Sequence, residues 1–229
     1  MMPFAKAMTM EKAKTVKRTG LTRVALAFLA IVSAHSETLD RIAVTVGRHV
    51  ITESDILLDL RISAFLDGKT PDLSGAQKRK AADRLVDQYL MLEDAAVTRA
   101  PLPYEAEVAS LMKPIRARYA SESEYQAALA RAGISEDQLK THLLGGMRMM
   151  RYTDLRFRPE VQISDQDLRG AFAALVAKQP PGSPAPNFEA SRDQLEELLT
   201  NQRVSEAMDQ WLAMTRLETQ ILYKDAAFR

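Results

Sequence analysis

The stretch Leu39-Asp-Arg-Ile-Ala-Val-Thr-Val-Gly-Arg-His-Val-Ile-Thr-Glu-Ser-Asp55 decides how the rest of the chain is read. From Arg41 to Val46 apolar and polar side chains alternate, which puts Ile42, Val44 and Val46 on one face of a strand. Gly47-Arg48 interrupts the alternation and His49-Val-Ile-Thr52 follows, so the spacing predicts a short β-hairpin turning at the glycine. Two strands alone are marginal; they must pack on helices or recruit a third. Thr52 then opens a helix. Its hydroxyl can accept from an otherwise unpaired amide, while Ile51 and Ile56 flank it as an apolar clamp.

The same device recurs along the chain. Ser135 lies between Ile134 and Leu139 with Gln138 at the reciprocal position, Ser164 between Ile163 and Leu168 with Asp167 there, and Ser121 with Glu124 forms a fourth cap. Helices are predicted over about 53–67, 75–98, 104–118, 121–132, 135–157 and 164–178, with stops at Gly68, Pro101, Gly133 and Pro159. In the second, Ala81, Leu85, Gln88/Tyr89, Leu92 and Ala96 make a stripe at helical spacing, the pattern of a face packed on neighbours. Gln179-Pro-Pro-Gly-Ser-Pro-Ala-Pro-Asn187 is a proline-rich linker. Beyond it the longest helix runs from Phe188 to about Arg216, with Leu195, Leu198, Leu199, Met208, Trp211 and Leu212 along one side. Glu218-Thr-Gln-Ile-Leu-Tyr223 is strand-like and can supply the hairpin's missing partner.

Composition agrees with a mostly α fold. The chain has 229 residues, 46% hydrophobic and 27% charged, with only 9 glycines and 10 prolines. The fold class expected is therefore a multi-helix domain with a small β-hairpin near its N-terminus paired with a C-terminal strand. Its parts are a signal peptide over 1–36, a helical domain over 37–178, the linker over 179–187, and a long helix and strand over 188–229 that complete the same domain.

The leader reading rests on Val24 to Ala34, eleven residues with a single hydroxyl, preceded by a basic stretch from Lys14 to Arg23. A bilayer crossing wants roughly 20 apolar residues, so export by the general secretory route, to a periplasm, is expected. Cleavage after Ala34 or after Ser36 would present small side chains; an uncleaved leader would be the only membrane attachment. Met8 or Met10 can serve as an alternative start. The formal charge of +1 conceals an asymmetry, since Lys6, Lys12, Lys14, Lys17, Arg18 and Arg23 face one acid, Glu11, within the leader. Beyond Ser36, 25 basic residues meet 29 acidic ones, which argues against a nucleic-acid partner. The absence of cysteine excludes disulfides, thiol catalysis, thiolate metal sites and a lipid-modified cysteine.

The whole stretch from Leu39 to Asp55, hairpin and first helix start together, resembles the opening of SurA-type periplasmic chaperones, and Gln162-Ile-Ser-Asp-Gln-Asp-Leu168 is similar to a later helix start in that family. The resemblance extends in outline over nearly all of the chain after the leader. It implies a helical cradle that holds unfolded clients, typically outer-membrane proteins awaiting assembly. SurA and PrsA relatives insert parvulin-type prolyl isomerase domains before the last helix. Here only Pro180 to Pro186 stand in that place, so isomerase activity is not implied.

The residues themselves agree with a binding protein. After the leader only His49 and His142 remain, in different elements and without metal-binding spacing, and no nucleophile elbow, phosphate loop or dinucleotide fingerprint occurs. No catalytic residue, cofactor, metal or small-molecule substrate is expected. Met112, Tyr119, Met147, Met150 and Tyr152 are the candidate peptide-binding residues, since flexible thioethers and amphipathic rings suit promiscuous apolar surfaces. Tyr125 reads as helix packing. Gly145-Gly146 within a helix implies either close helix approach or a bend. The partners expected are unfolded or extended polypeptides. The alternatives are an accessory protein that binds one dedicated partner, including a homodimer with exchanged ends, and, further off, a prolyl isomerase.

Overall fold

The hairpin forms where the alternation breaks. In the computed structural model, which describes residues 40–101, 103–180 and 186–228, β1 (Ile42–Val46) pairs antiparallel with β2 (His49–Thr52). Gly47 supplies the positive φ of +57° that the two-residue turn needs. The third strand is β3 (Ile221–Tyr223), antiparallel on the other side of β1, with Val44 opposite Tyr223 and Val46 opposite Ile221. The order β2-β1-β3 joins the two ends of the described chain in one sheet. One detail departs from simple alternation. The register shifts between Ile42 and Val44, so Ala43 and Val44 are both fully buried while Ile42 is left 44% exposed. A bulge of this kind turns successive side chains the same way.

Seven helices are described: α1 (Glu53–Asp67), α2 (Gly75–Val97), α3 (Glu105–Arg116), α4 (Glu122–Ala132), α5 (Glu136–Phe157), α6 (Asp165–Ala177) and α7 (Phe188–Glu218). The caps fall where the sequence puts them. The hydroxyls of Thr52, Ser121, Ser135 and Ser164 accept from the amides of Asp55, Glu124, Gln138 and Asp167, respectively. Each satisfies a donor with no partner inside its helix, worth about 1 kcal/mol. The leader lies outside the described residues, as does the middle of the linker, 181–185.

Two hydrophobic cores result. The sheet core takes Val44, Val46 and Ile51 from the strands, Val86 and Met91 from α2, Tyr152 and Phe157 from α5, and Leu212 from α7. The helical core takes Ile62 from α1, Val108 and Met112 from α3, Tyr125 and Leu129 from α4, and Leu139 and Leu144 from α5. The first half of α5 thus serves one core and its second half the other. The first half of α7 is covered by α6, where Phe172 meets Phe188 edge-on at 5.3 Å and Arg203 pairs with Asp167 at 2.7 Å. That covering is one-sided. Leu195, Val204 and Leu212 are buried, but Leu198, expected on the same apolar side, is 60% exposed.

Candidate functional site

Where the two cores meet, they leave a cleft of about 560 Å³, bounded by β2, α1, α2 and the first turns of α5. Its apolar walls come from Leu58 and Ile62 on α1 and from Leu85 and Leu92 on α2. Tyr89 of α2 stacks flat on His49 of β2, with ring centroids 4.0 Å apart and planes 6° from parallel, to make an aromatic shelf. The α2 stripe that the spacing assigns to packing therefore faces the cleft at Leu85, Gln88, Tyr89 and Leu92, while Ala96 is exposed. Ala81 of that stripe lies in the sheet core with Ala82, Val86, Leu90, Met91 and Ala95, and Leu85 and Tyr89 pack against the same core.

The polar side of the cleft is built across three helices. Asp59 on α1 is only 7% exposed and is held by the guanidinium of Arg84 on α2 at 2.5 Å. His142 on α5 approaches its other oxygen, with Nδ1 3.7 Å away. Burial pushes the imidazole below its ordinary value of 6.5; Asp59 opposes that shift and Arg84 adds to it. At neutral pH the ring is therefore uncharged. Asp55 faces the cleft too, with one carboxylate oxygen accepting from the Thr52 amide at 2.8 Å. Asp137 projects from the first turn of α5, its side chain 93% exposed. Among the described residues three carboxylates line the cleft and no lysine or arginine lines it, while Arg84 pairs with Asp59 and Lys140 with Asp137 at 3.5 Å.

At Gly145, α5 meets a side chain of α2. A Cβ there would run into the side-chain amide of Gln88, whereas one at Gly146 would meet open space. Of the two readings of this glycine pair, close approach applies at Gly145, where the end of the Gln88 side chain of α2 occupies the space a Cβ would take.

None of the five candidate binding residues lines this cleft. Met112 is 5% exposed within the helical core, and Tyr152 is 1% exposed within the sheet core, where it also lines a smaller pocket with Thr98, Leu155 and Arg156. The Tyr152 hydroxyl donates to Asp94 at 2.6 Å, and its ring lies 6.0 Å from that of Trp211. Burial first, and then Asp94, push that phenol well above its ordinary value. Tyr119 and Met147 are half-buried against the helical core, Tyr119 stacking on Phe65 at 6.2 Å. Met150 is 72% exposed. The reason is angular: at about 100° per residue, Met147 and Tyr152 point roughly 140° apart on α5, with Met150 on a third side. A cluster in sequence is not a cluster on a helix surface.

The histidines do the opposite. Placed in different elements by the sequence, His49 and His142 both line the cleft. A readable signal for the site was the mixed character of the α2 stripe, which places Gln88 and Tyr89 among leucines. Among the described residues no group of three or more His, Asp or Glu is placed to hold a metal ion, and no helix is long and apolar enough to cross a membrane. No protein-family model and no curated protein sequence matches the chain.

Proposed function

We propose that this protein is an exported holding chaperone of the SurA type, which binds unfolded polypeptides such as outer-membrane protein clients without isomerase activity. The observation that carries this reading is the cleft: apolar walls and an aromatic shelf, open at the surface, with a few polar groups beside them. Such a surface accepts many side chains, because apolar burial has no direction. One fully buried client side chain contributes about 2 kcal/mol, which alone corresponds to a Kd weaker than about 1 mM. Holding then requires several weak contacts along a client, and release needs no nucleotide. The basic, apolar leader supports export, and the stretch from Asp40 to Thr52 supports the family likeness.

The test is suppression of aggregation. The full-length mature chain, at a one-to-one ratio and without ATP, is expected to keep several unrelated unfolded outer-membrane proteins soluble. Failure with every client, together with tight binding to one folded partner, would replace this reading with that of a dedicated accessory protein. A proline-limited refolding reaction accelerated at sub-stoichiometric dose would instead mark an isomerase.

A further inference from the structure

We infer that the cleft takes its ligand as an added β-strand along the outer edge of β2, and that the segment it prefers is extended, apolar on one face and carries a basic side chain. The inference rests on the reading of the cleft as a polypeptide-binding surface, and it specifies how that surface works.

The geometry begins with β2, an outer strand of the sheet order β2-β1-β3. Three consecutive residues of this strand, His49, Val50 and Ile51, all line the cleft. Successive side chains of a strand point to opposite faces, so no cleft lying over one face could meet all three. It must run along the strand's edge. Which backbone groups that edge presents follows from the register: Val46 opposes His49 across the two-residue turn, Thr45 opposes Val50 and Val44 opposes Ile51. In an antiparallel ladder the residues closing a two-residue turn exchange hydrogen bonds, and the pattern then alternates. His49 and Ile51 therefore bond to β1, and the N–H and C=O of Val50 point away from it. The edge ends one residue later, because the Thr52 amide donates to the Asp55 carboxylate at 2.8 Å. One donor and one acceptor remain at Val50, enough to fix a ligand backbone in register and too few to hold it long.

Charge selects among extended segments. Asp55, Asp59 and Asp137 line the cleft, and no lysine or arginine lines it among the described residues. Arg84 pairs with Asp59 at 2.5 Å and Lys140 with Asp137 at 3.5 Å, which leaves Asp55, bonded only to Thr52, as the carboxylate without a cationic partner among the described residues. The chain beyond Ser36 carries a surplus of acidic residues as well. A ligand strand with a cationic side chain between two apolar ones meets complementary charge, whereas an acidic one is repelled.

The probe is a fluorescein-labelled peptide, Thr-Val-Thr-Lys-Thr-Val-Thr, titrated into the full-length mature protein and followed by fluorescence anisotropy. A series of copies methylated at one backbone nitrogen each is compared with it. Strand addition at Val50 predicts a profile with a single minimum: a loss of at least about tenfold at the one amide that donates to the Val50 carbonyl, and little change at its neighbours. Replacing Lys by Glu is expected to weaken binding about threefold at low ionic strength. Val50→Pro removes the outward amide without breaking a β1 hydrogen bond, since that N–H takes no part in the β1 ladder, and is expected to weaken the probe at least about tenfold.

A flat methylation profile overturns strand addition, and does so even if Val50→Pro fails to fold, because that series uses the unaltered protein. Equal binding of the Lys and Glu peptides overturns the charge preference. Self-association that covers the edge, seen as a doubling of mass that excludes the probe, overturns the ligand assignment. The holding function is separable from all of these: aggregation suppressed with a flat profile leaves the chaperone and removes the strand. A profile with one sensitive amide and no suppression leaves the strand and removes the chaperone.

Discussion

The two cores of this protein are made in different ways. The helical core draws on Ile62 of α1 and on the stretch Val108 to Leu144, with α2 between them given to the sheet core, and two of its helices carry their own start signals at Ser121 and Ser135. The sheet core closes only when the far end of the chain returns: β3 pairs with β1, the Tyr223 hydroxyl donates to Asp83, and Arg216 meets Asp87 at 2.7 Å. Arg79 lies over the Tyr223 ring, 3.5 Å from its centroid. One core therefore depends on near neighbours in sequence and the other on distant ones, which carry the larger loop-closure cost. The cleft lies on the seam and takes walls from both. Its shape depends on the two cores being folded together.

The largest effect expected is on the helical core. Leu139 is fully buried on α5, and Leu139→Ala should cost about 2–5 kcal/mol through lost burial and the cavity left behind. Hydrogen exchange should rise first in α3 and α4 while β1 stays protected. If all amides lose protection equally, the two cores are a single cooperative unit and the contrast between them is wrong.

The complementary change is Gly75→Ala at the start of α2. A Cβ at this position would strike the backbone carbonyl of Phe228, in the short turn Asp225–Phe228 that follows β3. Backbone cannot swing aside as a side chain can, so the C-terminal turn must shift, at a cost of about 1–3 kcal/mol. Exchange should increase at β3 and the amides that β3 bonds, with α4 unchanged. The Gly47 amide, which donates to the Gln220 carbonyl at 2.8 Å, is a sensitive reporter. The opposite distribution would show that the chain end contributes nothing to the sheet core.

How much could be read from the sequence follows the same division. Helix starts were legible because a hydroxyl, an acid or amide three residues on and flanking apolar groups make a purely local signal. The strand pairing was legible because both ends alternate or read as strand in an otherwise helical chain. Ile42 was misplaced because alternation carries no mark of a bulge. The site was hidden for a different reason. Whether Leu85 and Tyr89 pack or line a cleft depends on what stands opposite them, and His49 meets Tyr89 from forty positions away. Met112 and Tyr152 were chosen by residue type, and type does not distinguish a core wall from a groove wall.

The smallest effect expected concerns the seam itself. His142 sits between the cores, half-buried, near Asp59 and Arg84. Asp55 and Asp137 line the same cleft, and the His49 ring stands across it. Burial holds the folded imidazole below 6.5, so over the range just under that value the unfolded chain binds a proton more readily than the folded one. Stability is therefore fully present above 6.5 and declines as the pH falls toward the folded value. The sign would reverse if Asp59 outweighed burial, and Arg84 prevents that by occupying the same carboxylate. Chemical denaturation at pH 7.5 and pH 5.5 should show a loss on acidification that shrinks in His142→Gln, which cannot take up the proton. A pH dependence left intact in that variant would assign the effect elsewhere. The amides that report the difference should lie on facing walls of the cleft, in α1 and α5, since the charge appears between them and neither core alone contains it.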